Sequence, residues 1–182
     1  MSRHADSMSI TTKRGDDGGT DLLFGKRISK CSPRMEAIGS VDELNATLGM
    51  VRSGADSATE EVVDNLQALL VGLMGELAVL PEDAERYAES DYPSIGKEEV
   101  ERVESLSRDI ESAGVKFEGW ARPGANGNQT GAHLDMARTV CRRVERRVLE
   151  LGEEVNNGAI LLFLNRLSDL LWLLARRTEG ER

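Results

Sequence analysis

Residues 137–151 read ARTVCRRVERRVLEL. Ala137, Cys141, Val144, Val148 and Leu151 recur at spacings of four and three, the rhythm of a helix whose apolar stripe faces a bundle core. At about 100° per residue, Arg138, Arg142, Glu145 and Arg146 then share one adjoining face, within about 100° of arc. A solvated basic face is the ordinary explanation of such a pattern. Here, however, Arg138, Arg142, Arg143, Arg146 and Arg147 crowd into ten residues of a chain whose formal charge is −9. Like charges on successive turns repel, and arginine grips phosphate in a two-pronged fashion, so a polyphosphate ligand would relieve the repulsion.

Working outward from this helix, the same periodicity recurs. Ser32-Pro33 supplies an N-cap and first-turn proline for a helix carrying Ala37, Val41, Leu44, Leu48 and Val51. A second helix is expected from about Ala58 to Leu80, with Val62, Leu66, Leu69, Leu73 and Leu77 inward and Pro81 as its stop. A third covers roughly Ser94 to Ala113, with Val100, Val103, Leu106 and Ile110 inward and Gly114 ending it. The arginine helix follows the loop RPGANGNQTG, from about His133 to Leu151. The last helix, near Val155 to Arg177, is apolar on most sides and is expected at the centre. The fold class is all-α. With 182 residues, four prolines and 4% aromatics, a single domain is expected: a disordered leader over 1–10, a ligand loop over 11–31 and a helical bundle over 32–178.

The acidic balance argues against nucleic-acid and anionic-membrane partners. No apolar run is long enough to span a bilayer, and no signal-peptide core opens the chain, which gives a cytoplasmic expectation. Cys31 and Cys141 form no CxxC pair, and His4 and His133 have no metal-ligand spacing, so no side-chain metal site is expected.

Two further stretches carry chemistry. TTKRGDDGGTDLLFGK, residues 11–26, is too polar and glycine-rich to fold alone; it is either a floppy leader or a loop ordered around a ligand. It is not a Walker loop, because five residues separate Gly19 from Gly25 and Arg27 follows Lys26. Its turns would offer backbone N–H groups as an anion nest, with Lys13 and Lys30 adding charge. In ILLFLNRLSDLLWLLAR, Asn165 and Asp169 sit one turn apart on an otherwise apolar helix, with Trp172 on nearly the same face. Asn165 would offer its amide to a ligand; Asp169 would orient an arginine or a loop, or belong to a polar network inside the bundle.

Taken in order, TKRGDDGGT (12–20), RMEAIGSVDELNATLG (34–49), ARTVCRRVERRV (137–148) and FLNRLSDLLWLLAR (163–176) resemble the PduO-type ATP:cob(I)alamin adenosyltransferases over residues 12 to about 177. The resemblance implies a five-helix, ferritin-like bundle assembled as a homotrimer, with active sites between subunits and ATP bound with magnesium under the N-terminal loop. It implies ATP contacts from Thr12, Lys13, Arg14, Gly15, Thr20, Asp21, Lys30, Arg142, Arg143, Glu145, Arg146 and Asn165. Asp42 and Arg138 match a pair bridging two subunits, and together with Arg142 they are the expected catalytic set. Trp120, at the place of a bulky apolar residue, and Asp169 fall on the corrinoid side. The segment Pro123-Gly124-Ala125 with Asn126 to Asn128 is longer than the family's usual Pro-Gly-Gly loop. The implied reaction moves the 5′-deoxyadenosyl group of ATP to Co(I), with a reductase upstream and an adenosylcobalamin-dependent mutase downstream. A non-catalytic adenosylcobalamin carrier and a helical module binding an acidic partner are the alternatives.

Overall fold

The computed structural model describes residues 11, 13–115, 120–155 and 157–180; the 1–10 leader and Thr12 lie outside them. A short antiparallel hairpin, β1 (Gly19–Asp21) and β2 (Arg27–Ser29), pairs Gly19 with Ser29 and Asp21 with Arg27. Six helices follow: α1 (Pro33–Arg52), α2 (Ser57–Leu77), the short α3 (Ala84–Ala88), α4 (Lys97–Ser112), α5 (Gln129–Leu149) and α6 (Ala159–Gly180). The five long ones form the expected bundle. None of the described helices is by itself long and apolar enough to cross a membrane.

The helix ends follow from local chemistry. Ser32 Oγ accepts from the Met35 N–H at 3.3 Å, with Pro33 in the first turn. Asp56 caps α2 through the Thr59 N–H at 2.8 Å, and that bond holds its carboxyl below the usual range. Gly114, at φ +83°, turns the chain out of α4 where a side chain would be strained. α5 begins four residues before the expected His133: Asn128 Oδ1 accepts from the Gly131 N–H at 3.0 Å and caps the helix, so the last three residues of the expected loop, Gln129 to Gly131, are helical. α2 stops at Leu77, short of Pro81: the buried Arg34 donates to the carbonyls of Leu77 and Val79 at 2.8 and 2.9 Å and takes over the end of the helix.

α5 packs on both α1 and α6, α2 packs on α1, and α4 packs on α6. The stripe Ala137, Cys141, Val144, Val148 and Leu151 is buried throughout, as are Phe163, Leu164, Leu167, Leu170, Leu171 and Leu174 of α6. On α2 the inward set is rotated from the expected one: Val63 and Leu70 are fully buried, whereas Val62 and Leu69 are half-buried. The Cys141 thiol donates to the Leu164 carbonyl at 3.3 Å, and burial pushes its pKa far up.

Of the alternatives open for Asp169, membership of a buried polar network inside the bundle is excluded. Asp169 is exposed, because α4 covers only part of that side of α6. The buried network lies one to three turns away. Asp135 of α5 and Arg176 of α6, each 3% exposed at the side chain, pair at 2.5 Å, and Glu179 joins Arg176 at 3.2 Å. Gly131 makes room for this cluster, since a methyl there would meet Glu179 Cγ at 2.9 Å. Removing one partner from such a pair leaves the other charged and dehydrated. Arg176→Met should therefore lower unfolding stability by about 3–5 kcal/mol, read from chemical denaturation with an unchanged m-value, whereas Asp135→Leu/Arg176→Met should recover most of that loss.

Candidate functional site

The arginines of α5 divide into two sets. Those turned toward α1 are neutralised within the chain: Arg143 pairs with Glu43, and Arg147 pairs with Glu36 at 3.5 Å and Glu150 at 2.9 Å. Arg142 and Arg146 are exposed and form no ion pair with the described residues; the Arg146 guanidinium donates to the Arg142 carbonyl at 2.9 Å. On the α6 side of these two, Asn165 Nδ2 donates to Glu145 Oε1 at 3.4 Å. Its Oδ1 accepts from Arg166 at 2.7 Å, and Arg166 is held by Glu104 of α4 at 3.0 Å. Arginine has no acceptor, so Arg166 fixes the orientation of the Asn165 amide and leaves its NH₂ toward Glu145. Arg138 points its Nε toward Asp135 Oδ1 at 3.5 Å. Asp42, on α1, is exposed and forms no ion pair with the described residues.

The loop before α1 is ordered as a small unit. Lys30 Nζ donates to the Gly15 carbonyl at 2.7 Å, Arg27 donates to the Arg14 carbonyl at 2.7 Å, and Arg27 bridges Asp17 and Asp21 at 2.6 and 3.1 Å. Asp21 also pairs with Arg14 at 2.8 Å. The N–H groups of Asp16, Gly18 and Gly19 bond to Lys13 O, Gly15 O and Asp17 Oδ1, so the loop uses these donors on itself. These three donors are therefore not directed at an anion, whereas Lys13, Arg14 and Lys30 place cationic side chains along the loop. The Gly19 N–H, followed by Arg27, depresses the Asp17 pKa. The hairpin turn is anchored on the far side of α2: the Leu23 N–H bonds to Ala78 O at 3.0 Å, Leu22 is buried, Lys26 pairs with Glu82 at 3.2 Å, and Arg86 lies over the Phe24 ring.

Of the two residues expected to meet the corrinoid, Trp120 is 90% exposed, so it does not cap the end of the bundle. Asp169 and the half-buried Trp172 line an open cleft of about 360 Å³ with Glu111, Val115 and Leu173. The sequence held no signal for the Glu104–Arg166 support of Asn165, because its members lie 62 residues apart and look like ordinary surface charges. No cluster of three or more His, Cys, Asp or Glu able to hold a metal occurs among the described residues.

Residues 10–178 match the family described as cobalamin adenosyltransferase, and the chain belongs to that family. It is 35% identical over 181 residues to the corrinoid adenosyltransferase PduO of Salmonella typhimurium, covering 96% of this chain and 51% of that protein. The chain thus spans about half the length of the PduO relatives it matches. A cobalamin adenosyltransferase of Cupriavidus metallidurans is 35% identical over 170 residues, covering 92% of this chain and 86% of the relative. Among solved structures, a variant PduO-type ATP:corrinoid adenosyltransferase from Lactobacillus reuteri, complexed with cobalamin and ATP, superposes with a TM-score of 0.82. It shares 31% sequence identity and covers 94% of this chain and 91% of that one.

The ordered loop yields a local test. A methyl on Gly15 would stand 2.6 Å from Lys30 Nζ and 3.3 Å from the Gly19 carbonyl, so Gly15→Ala must expel the ammonium. Tryptic cleavage within residues 13–30 should accelerate several-fold, while the midpoint of thermal unfolding stays within about 2 °C, because the bundle does not rest on this contact.

Proposed function

We propose that this chain transfers the 5′-deoxyadenosyl group of ATP to the cobalt of cob(I)alamin. The observation that carries the reading is the pair Arg142 and Arg146. Among the described residues they have no carboxylate partner, on an acidic chain, while Arg143 and Arg147 beside them are paired. Co(I) attacks C5′ of the ribose. The Co–C bond forms from the cobalt electron pair, the C5′–O5′ bond breaks, and triphosphate leaves with the bonding electrons. No side chain need act as nucleophile or base, which suits a site built of arginines, lysines and one asparagine. Its task is to position the two substrates and to stabilise charge growing on the leaving triphosphate.

In this assignment Thr12, Lys13, Arg14, Gly15, Thr20, Asp21 and Lys30 of the loop, with Arg142, Arg143, Glu145, Arg146 and Asn165 of the bundle, hold ATP and its magnesium. The site is completed between subunits of a homotrimer. Support for this comes from Asp42, whose exposed carboxylate is without an ion pair among the described residues and faces Arg138 of the neighbouring copy in the proposed assembly. The expected partners are a cytoplasmic reductase supplying Co(I) and a mutase taking the product.

Arg142→Ala should lose roughly ten- to a hundredfold in activity through ATP, the effect of about 1.5–3 kcal/mol for a charge-assisted phosphate contact. Anaerobic turnover with ATP and chemically reduced cobalamin measures it; a KM for ATP and a turnover both within twofold of wild type would refute the polyphosphate role. Triphosphate release distinguishes catalysis from a carrier that only binds adenosylcobalamin.

Trp120 is proposed to pack against the lower face of the corrin ring and exclude the axial base, which eases reduction of Co(II). An indole this exposed is available to an apolar ligand. Trp120→Ala should keep near-normal ATP affinity and use pre-reduced Co(I) far better than Co(II) given with a mild protein reductant. It should also lack the four-coordinate Co(II) spectrum of the wild type. A mutant that retains that spectrum shows Trp120 to be dispensable for the mechanism.

A further inference from the structure

Arg138 is not a free surface arginine. Its side chain is 27% exposed, and its Nε lies 3.5 Å from Asp135 Oδ1, one helical turn earlier. Asp135 is in turn gripped at its other oxygen by Arg176, whose side chain is 3% exposed. Arg176 is fixed from two further directions, by Glu179 at 3.2 Å and by the Trp172 ring at 5.7 Å from its guanidinium carbon. The chain Trp172/Glu179–Arg176–Asp135–Arg138 thus runs from the interior of the α5–α6 contact to the proposed subunit face. A buried ion pair is poor value as a source of stability, because dehydration offsets most of its attraction. Its geometric effect is definite. A guanidinium has five donors in one plane, and a carboxylate on the Nε edge leaves the two terminal nitrogens directed away from it.

We infer that Asp135 and Arg176 are positioning residues: they set the plane of the Arg138 guanidinium so that its outer edge meets Asp42 of the partner subunit. This rests on the assignment of Arg138 to the subunit interface made above. Asp135 touches neither substrate; it acts through Arg138. Arg176 acts one step further back, by holding the Asp135 carboxylate in one orientation.

The test is a double-mutant cycle of Asp135→Asn with Arg138→Gln in the full-length chain, with turnover, KM for ATP and the trimer dissociation constant as readouts. Asparagine keeps the size of the side chain and one acceptor for Arg176, which also keeps Glu179, so the loss of stability should be smaller than for Arg176→Met; circular dichroism and chemical denaturation check that the variant is folded. Asp135→Asn alone should lower turnover or weaken assembly about tenfold, with KM for ATP within twofold of wild type. In the Arg138→Gln background the same change should cost less than twofold, since no guanidinium is left to orient. Equal losses in both backgrounds, or no loss in either, would overturn the positioning role while leaving the interface assignment intact, provided Arg138→Gln itself is impaired. If Arg138→Gln is indistinguishable from wild type in activity and assembly, both the interface assignment and this inference fall.

Discussion

The structure depends on α5 being packed on two sides at once, against α6 and against α1. A helix so placed has little circumference left for solvent, and its arginines must emerge through a narrow arc. The consequences are read around that arc. On the α6 side, Glu145 reaches Asn165. On the α1 side, Arg143 and Arg147 reach Glu43 and Glu36. Between them, Arg142 and Arg146 face outward and form no ion pair with the described residues. Packing thus separates two arginines already paired within the chain from two that are not. Charge density along the sequence could not have made that division.

The bundle was legible in the sequence because its helices are strongly periodic and carry clear stop and start chemistry. Ser32-Pro33, Gly114 and the four-three rhythm of α5 all act locally, within a turn or two, and the structure uses each as expected. What could not be read depends on residues far apart. Arg34 ends α2 from 43 residues away, and so moves its boundary back from Pro81 to Leu77. Asp135 and Arg176, 41 residues apart, form the buried pair, whereas the more conspicuous Asp169 turns outward. A polar residue on an apolar helix shows that something must satisfy it or that it faces water; only the neighbouring helix decides which. The site was legible to the extent that it lies on single elements, namely the α5 arc, Asn165 and the loop cations. The Glu104–Arg166 support behind Asn165 was not, because it joins α4 to α6 through two side chains that sequence alone would leave in solvent.

The segment between Pro123 and α5 ties several helix ends together. Gly124 and Gly127 take φ values of +70° and +67°, turning the chain twice in four residues. Asn128 then caps α5 and donates to the Thr178 carbonyl at 2.8 Å, tying the start of α5 to the end of α6. Thr130 adds a bond to the Gly54 carbonyl at 2.8 Å, and Arg177 reaches Thr59 at 3.0 Å, so four helix ends are joined there by polar contacts. Asn128 and Thr130 thereby become part of the frame that fixes where α5, with its arginines, begins.

The loop before α1 is held in two unlike ways. Its turn is fastened by the buried Leu22 and a backbone bond from Leu23, whereas its outer part is held by ion pairs among Arg14, Asp17, Asp21 and Arg27, all at least one-third exposed. Exposed pairs of this kind are weakened by mobile ions over distances of about 10 Å at 0.1 M salt, while apolar burial is not. The order of the loop and the stability of the bundle therefore answer to different solution variables. Raising ionic strength would loosen residues 13–21 and quicken exchange of their amide hydrogens, yet leave α5 and α6 as protected as before.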